Sequence, residues 1–144
     1  MLIGQIIASK GAAVVTASSD ATIADVVRVL KDKRIGAIVI SSEDDQIDGI
    51  ISERDITRGL ADHGAALLDK KVRELMTSEV VTCGPDDGVE KLMQDMTSGR
   101  FRHMPVVQNG RLMGIISIGD VVKHRLHELE TEAHMLQDYI AGGA

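Results

Sequence analysis

Apolar positions follow the same order of helical and extended patterns twice along the chain. Between residues 23 and 30, and again between 89 and 96, apolar side chains recur every three or four positions, which predicts amphipathic helices. A short β-rich run precedes each helix, at 13–17 and at 80–83. Two further apolar runs separated by turn residues follow each helix, as expected for a β-hairpin. The pattern therefore predicts two β-α-β-β-α units.

The predicted hairpins share one layout. Their strands cover 37–41, 47–52, 104–108 and 111–117. The turns are residues 43–46 in the first unit and Asn109-Gly110, a strong hairpin signal, in the second. A second helix is expected to begin near Glu53 and near Ile118, and a capping box beginning at Thr22 is expected to start the first helix.

The two units are copies of one sequence repeat. Val14-Val15-Thr16 recurs as Val80-Val81-Thr82, 66 positions later, and the stretch 49–55 recurs as 114–120, 65 positions later. A near-constant offset with one slip in a loop indicates duplication. A unit of about sixty residues buries little surface alone. We therefore expect an α/β (α+β) fold in which two pseudo-twofold-related units pack through their sheets.

The division of the chain follows the repeat. The first repeat is expected to cover 1–69, with a lead-in helix at 3–7 and a connector that begins at residue 63. The second is expected to cover 70–144, with a second lead-in helix at 72–76 and an extended C-terminal helix. Together they would form one module.

The repeated motif Gly-Ile-Ile-Ser-x-x-Asp has two interpretations. In the first, Ser52 and Ser117 cap helices, and Asp55 and Asp120 complete the capping boxes. In the second, the helix N-terminus and the serine hydroxyl face a phosphate, while the carboxylate accepts from the two hydroxyls of a ribose. Phosphate donors beside a diol acceptor indicate a nucleotide, and both interpretations can hold together.

Composition and charge exclude several functions. The aromatic side chains are Phe101 and Tyr139, so nucleic-acid bases have almost nothing to stack on, and the net charge of -6 disfavours duplex binding. The single cysteine, Cys83, permits no internal disulfide and is interpreted as an inert small residue rather than a redox sensor. No signal sequence or membrane span is expected, which predicts a cytoplasmic protein. We expect no enzyme, since no catalytic set has independent support.

The chain resembles the tandem CBS-domain proteins, which carry paired cystathionine-β-synthase domains (the Bateman module), in their small stand-alone bacterial form. The resemblance is carried by Val14 to Thr16, Arg34 to Val39, Val80 to Thr82, Arg102 to Val107 and both copies of the motif. It implies a non-catalytic sensor of an adenosine nucleotide (AMP, ADP, ATP or NAD) that signals through a conformational change. The alternative is a ligand-independent dimerisation or protein-interaction scaffold.

The resemblance also implies two nucleotide sites. The motif aspartates match ribose-binding positions, the motif serines match phosphate-side positions, and the first strand of each repeat matches the adenine-binding strand. The first site is expected to contain Val14, Val15, Thr16, Gly36, Ala37, Ile38, Ser52, Arg54 and Asp55. The second is expected to contain Val80, Val81, Thr82, Arg100, Arg102, His103, Met104, Pro105, Ser117, Gly119 and Asp120. The sites are not expected to be equivalent, because Gly119 stands where the first repeat has Arg54.

The C-terminal helix carries a heptad pattern. Its apolar positions are Val122, Leu126, Leu129, Ala133, Leu136 and Ile140. Alternating four- and three-residue spacing is typical of a helix that pairs with another helix, so we expect a homodimer that uses this helix. Packing within the module is the alternative. His124, His127 and His134 lie near one face, but no carboxylate or cysteine completes a metal set with them, and no metal is expected.

Overall fold

Helices and strands follow one another in a similar order in both halves of the chain. The computed structural model describes residues 1–11, 14–43 and 45–142. The helices are α1 (Ile3–Lys10), α2 (Ile23–Lys33), α3 (Glu53–His63), α4 (Val89–Gly99) and α5 (Ile118–Gly142). The strands are β1 (Thr16–Ala17), β2 (Ala37–Ile40), β3 (Gly49–Ser52), β4 (His103–Gln108) and β5 (Arg111–Ser117). The connector contains short 3-10 segments at Gly64–Asp69 and Val72–Glu74.

The hairpins place the motif serines at equivalent points. β1 lies parallel to β2, and β2 lies antiparallel to β3, with Ala37 opposite Ser52. β4 and β5 pair antiparallel, with His103 opposite Ser117 and a β-bulge after Val106. Each serine therefore ends a strand beside the first residue of its partner strand, and a helix begins directly after it.

The helix starts are confirmed. α3 begins at Glu53 and α5 at Ile118. Before α2, the Thr22 hydroxyl accepts from the Asp25 amide and Asp25 Oδ2 accepts from the Thr22 amide, both at 3.2 Å. The predicted apolar faces are also formed, since α2 buries Ile23, Val26 and Leu30 and α4 buries Leu92 and Met96. The caps and the apolar faces of these helices depend on pairs of residues three or four positions apart, which is why the sequence pattern predicts them.

The first strand of each repeat is shorter than the pattern predicts. β1 covers Thr16–Ala17 only, and Ala13 lies outside the described residues, as does Asp44 of the first hairpin turn. The predicted strand at 80–83 is wrong. Cys83 forms one parallel bridge with Val106, while the preceding residues Val81 and Thr82 stay exposed. Val80 and Val81 instead line a cleft between the repeats.

The two repeats exchange their lead-in segments. α1 packs against the core of the second repeat, made of Ile3, Ile6, Ile7, Cys83, Leu92, Met96, Met104, Val106, Ile116 and Val121. The helix predicted at 72–76 is instead a 3-10 turn, and Val72 packs into the core of the first repeat with Ile23, Val26, Leu30, Ile38, Ile40, Ile51, Ile56 and Leu67. Its amide donates to the carbonyl of Ala21 at 2.8 Å. The cores therefore do not follow the predicted boundary between residues 69 and 70.

The C-terminal helix extends beyond both cores. Of the residues of α5 that the structure describes, Val121 alone is buried. From Leu129 to Gly142 every residue of the helix is exposed. None of the helices within the described ranges has the length and apolar character needed to cross a membrane.

Candidate functional site

A cleft of about 560 Å³ lies between the two repeats, within the range of small-molecule sites. One wall belongs to the first repeat and consists of Gly36, Ala37, Ile50, Ser52, Glu53, Arg54, Asp55, Thr57 and Arg58. The other belongs to the second repeat and consists of Thr77, Glu79, Val80, Val81, Gly99, Arg100, Phe101, Arg102 and His103. We call this space the inter-repeat cleft.

On the first wall, Ser52 and Asp55 form the predicted capping box. Asp55 Oδ2 accepts from the Ser52 amide at 2.9 Å and from the Ser52 hydroxyl at 3.1 Å. Among the described residues, no donor contacts the other carboxylate oxygen of Asp55, and no cation lies within ion-pair distance. The cap therefore fixes the carboxylate at the cleft and leaves one of its oxygens for another donor.

On the second wall, an apolar stretch lies beside a cationic one. Val81 is 48% exposed and Val80 is half-buried. Arg100 ends α4 in the left-handed conformation, with φ 55°, and its carbonyl accepts from Arg54 Nη1 at 3.0 Å. This hydrogen bond joins the two walls, because Arg54 belongs to the first repeat and Arg100 to the second.

His103 lines the inter-repeat cleft and lies against Gly36 of the first repeat. A Cβ atom built on Gly36 would lie 3.1 Å from Cε1 and 3.2 Å from Nε2 of the imidazole. Burial lowers the pKa of His103, and the nearby Lys10 lowers it further, whereas Glu53 and Asp120 act in the opposite direction. The ring is therefore held towards its neutral form between the two motifs.

The Asp120 motif faces a second, more open space. Its lining comes from α1 and α5 and consists of Ile6, Ser9, Lys10, Ile118, Gly119, Asp120, Val122, Lys123, His124, Leu126, His127 and Glu130. We call this the α1–α5 cleft. Asp120 Oδ2 accepts from the Ser117 amide at 2.9 Å and from the Lys10 ammonium at 2.7 Å. Both aspartates therefore accept from the amide of their motif serine. Asp120 also pairs with a lysine, whereas Asp55 has no ion-pair partner among the described residues.

The structure brings the predicted site residues together in a different grouping. Of the first predicted site, Gly36, Ala37, Ser52, Arg54 and Asp55 line the inter-repeat cleft, whereas Val14, Val15, Thr16 and Ile38 do not. Of the second, Val80, Val81, Arg100, Arg102 and His103 line that same cleft, opposite Asp55. Gly119 and Asp120 line the α1–α5 cleft, and Thr82, Met104, Pro105 and Ser117 line neither. Because the repeats face one another, the motif of the first lies opposite the hairpin start of the second.

Other cleft residues were not predicted from the sequence. Arg58 lies one helical turn after Arg54 on α3. Because residues four positions apart share a helix face, this spacing is the sequence signal that places Arg58 beside Arg54 in the cleft. Glu53 and Glu79 add carboxylates to the inter-repeat cleft. No local signal indicates Lys10, which lies 110 positions from its partner Asp120.

The cysteine beside the second wall is turned away from the cleft. Cys83 is buried in the second core, and its thiol lies 3.6 Å from the carbonyl oxygen of Pro105. Burial, with the nearby carboxylates of Asp87 and Asp95, raises the pKa of the thiol to about 12. Within the ranges that the structure describes, no group of three or more His, Cys, Asp and Glu side chains is arranged to hold a metal ion.

Comparisons with known proteins identify the repeat. A family model described as the CBS domain matches residues 4–62 and again 72–127. The chain is 37% identical over 130 residues to the mitochondrial CBS domain-containing protein CBSX3 of Arabidopsis thaliana, covering 88% of this chain and 63% of that protein. It spans 63%, 32% and 61% of three curated relatives that it matches, less than two thirds of each.

Solved structures share the arrangement of both repeats. A CBS-domain containing protein from Agrobacterium tumefaciens superposes with a TM-score of 0.84 at 44% identity, over 87% of this chain and 99% of that one. The CBS domain pair of protein MJ0100 superposes with a TM-score of 0.79 at 26% identity, over 89% of this chain and 98% of that one. The MJ0100 pair was solved in complex with 5′-methylthioadenosine and S-adenosyl-L-methionine.

Proposed function

Since the chain belongs to the CBS-domain family, we propose that it is a non-catalytic regulatory module that binds an adenosine nucleotide in the inter-repeat cleft. The observation that carries this proposal is the half-satisfied carboxylate of Asp55, fixed by its cap opposite an apolar and cationic wall. The adenosine compounds bound by the MJ0100 pair support the ligand class.

Asp55 suits the ribose. An ionised carboxylate accepts hydrogen bonds and donates none, so it complements the two neighbouring hydroxyls of a ribose. Because Oδ2 of Asp55 is occupied by Ser52, the other oxygen accepts from the diol. The cap thereby orients the ligand as well as stabilising α3.

The apolar part of the cleft suits the adenine. Ala37, Ile50, Val80 and Val81 offer aliphatic surface, and Phe101 is the aromatic side chain among the lining residues. An adenine placed there buries its two faces against aliphatic side chains, while backbone groups form hydrogen bonds with the edge of its ring. Burial of apolar surface contributes roughly 25 cal/mol per Å², so this contact supplies affinity without base stacking.

The cationic part suits phosphate. Four guanidinium groups line the cleft, those of Arg54, Arg58, Arg100 and Arg102. Guanidinium groups bind phosphate oxygens through paired, charge-assisted hydrogen bonds. They outnumber the three carboxylates of the cleft, Glu53, Asp55 and Glu79, so the proposed ligand is anionic: AMP, ADP, ATP or NAD.

Signalling follows from the position of the cleft. Its two walls belong to different repeats, joined by the contact of Arg54 with Arg100. A ligand held by both walls binds most tightly when they are close together, and a ligand shifts an equilibrium only through such differential affinity. The change in repeat orientation is read by a regulated protein.

A nucleotide panel tests the proposal. Thermal unfolding of the full chain is measured with AMP, ADP, ATP and NAD, and with the matching guanosine nucleotides as controls. A ligand at about 100 times its Kd stabilises the folded state by roughly 2.7 kcal/mol. No shift with any adenosine compound contradicts the proposal, and conversion of ATP or NAD into product contradicts its non-catalytic part. A stable oligomer without nucleotide binding would favour the ligand-independent scaffold.

We also propose that α5 pairs with α5 of a second copy. Its heptad positions are exposed at Val122 (49%), Leu126 (55%), Leu129 (45%), Leu136 (62%) and Ile140 (75%). These side chains form one stripe on a helix whose residues from Leu129 to Gly142 are all exposed. A symmetric partner presents the same stripe and covers it.

A further inference from the structure

The ammonium of Lys10 holds the carboxylate of the Asp120 motif. Lys10 is the last residue of α1, and its Nζ lies 2.7 Å from Asp120 Oδ2 and 2.8 Å from the carbonyl oxygen of Ile115. The two paired side chains are 35% and 23% exposed. The other ion pairs among the described residues lie on more exposed side chains at 2.9 to 3.7 Å.

Lys10 is what distinguishes Asp120 from Asp55. In both motifs Oδ2 accepts from the serine amide at 2.9 Å. Asp55 has no ion-pair partner in the described part of the chain, whereas Asp120 has Lys10. At Asp120 the ammonium of Lys10 takes the place on Oδ2 that the neutral Ser52 hydroxyl has at Asp55, so Lys10 balances the charge of Asp120 whereas the charge of Asp55 is left for another donor.

A ribose hydroxyl at the other oxygen of Asp120 meets a carboxylate whose charge Lys10 already balances, and which is therefore a weaker acceptor than Asp55. Charge-assisted hydrogen bonds are roughly twice as strong as neutral ones, and the Lys10 ammonium gains a second acceptor in Ile115. Displacing it also breaks the polar contact between α1 and the start of α5. A nucleotide in the α1–α5 cleft must therefore either bind through the weaker acceptor or displace Lys10 and lose both of its hydrogen bonds.

Resting on the proposed function of the inter-repeat cleft, we propose that Lys10 is an internal occupant of the α1–α5 cleft and limits the chain to one nucleotide. Removal of the ammonium exposes a second capped carboxylate equivalent to Asp55. Lys10 therefore determines the stoichiometry of binding without touching the nucleotide in the first cleft.

Calorimetric titration of the full chain with AMP tests this inference. The wild type is expected to bind one AMP per chain and Lys10→Met two. Lys10→Arg keeps the positive charge and should bind one, as should Lys33→Met, which removes a lysine that lines neither cleft. Circular dichroism melts establish that each variant is folded before it is titrated.

Double variants assign the second equivalent. Lys10→Met/Asp55→Ala should bind one AMP through Asp120, and Lys10→Met/Asp120→Ala should bind one through Asp55. Two equivalents in the wild type, or one equivalent in both the wild type and Lys10→Met, would overturn the role of Lys10 and leave the proposed function standing. No AMP binding by any variant would overturn the proposed function and this inference with it.

Discussion

The imidazole of His103 lies against Gly36, across the boundary between the two repeats. A side chain at Gly36 would begin 3.1 Å from the ring, closer than ordinary van der Waals contact. Gly36 is not among the glycines with positive φ. Its backbone conformation therefore does not require glycine, and the absence of a side chain instead leaves room for the imidazole. The contact places His103 where both motifs influence its charge.

We expect Gly36→Ala to destabilise the fold by about 1 kcal/mol, since overpacking of this kind typically costs about 1–3 kcal/mol. In a His103→Ala background the same substitution should be neutral or slightly stabilising, because alanine restricts the unfolded chain. Urea unfolding of the four proteins gives the coupling free energy. Equal effects in both backgrounds would show that the two residues do not interact.

His103 also predicts a pH dependence of stability. Burial and Lys10 lower its pKa in the folded state from the value of 6.5, against the opposing carboxylates of Glu53 and Asp120. The unfolded chain then binds more protons below about pH 6.5, so the free energy of unfolding falls on acidification and levels off below the folded pKa. Urea unfolding at a series of pH values should show a smaller slope in this window for His103→Gln than for the wild type. Identical slopes would contradict the assignment.

Cys83 should be chemically silent in the folded protein. Because the thiol is buried and its pKa is raised to about 12, a disulfide reagent at pH 8 should label it slowly in the folded state and rapidly in guanidinium chloride. The double substitution Thr82→Cys/Cys83→Ala moves the thiol to an exposed neighbour and should label at once. Rapid labelling of Cys83 in the folded wild type would contradict this prediction and favour a redox role for the thiol.

Pairing of α5 should depend on its apolar stripe. Leu126→Glu/Leu136→Glu places charges on two exposed heptad positions, and should convert the dimer into monomers in sedimentation velocity. Truncation after Arg125 should do the same. Met93→Glu, at a comparably exposed apolar position on α4, serves as the control and should leave the dimer intact. A dimer that persists without the helix would assign the interface elsewhere.

The sequence predicted what depends on near neighbours. The cap that joins Ser52 to Asp55 spans three positions, and the repeat offset located its equivalent at Ser117 and Asp120. The starts of α3 and α5 could be predicted for the same reason. The family resemblance rested on these local patterns and on their fixed register.

The composition of the clefts could not be predicted in the same way. It depends on how the repeats face each other, which brings Arg54 to Arg100 across 46 positions and Lys10 to Asp120 across 110. The β-rich run at 80–83 was similarly misleading, because Cys83 reaches β4 while Val80 and Val81 line the cleft. In both cases tertiary packing overrides the local pattern.

The most direct test of the nucleotide site compares two aspartates with one local geometry. Asp55 and Asp25 both close capping boxes, but Asp25 lines neither cleft. Asp55→Ala and Asp25→Ala each remove the acidic partner of an N-cap, a position where the capping interaction contributes about 1 kcal/mol. Calorimetric titration with AMP should show at least tenfold weaker binding for Asp55→Ala, about 1.4 kcal/mol, and unchanged binding for Asp25→Ala. Equal AMP affinity for Asp55→Ala and the wild type would contradict the account.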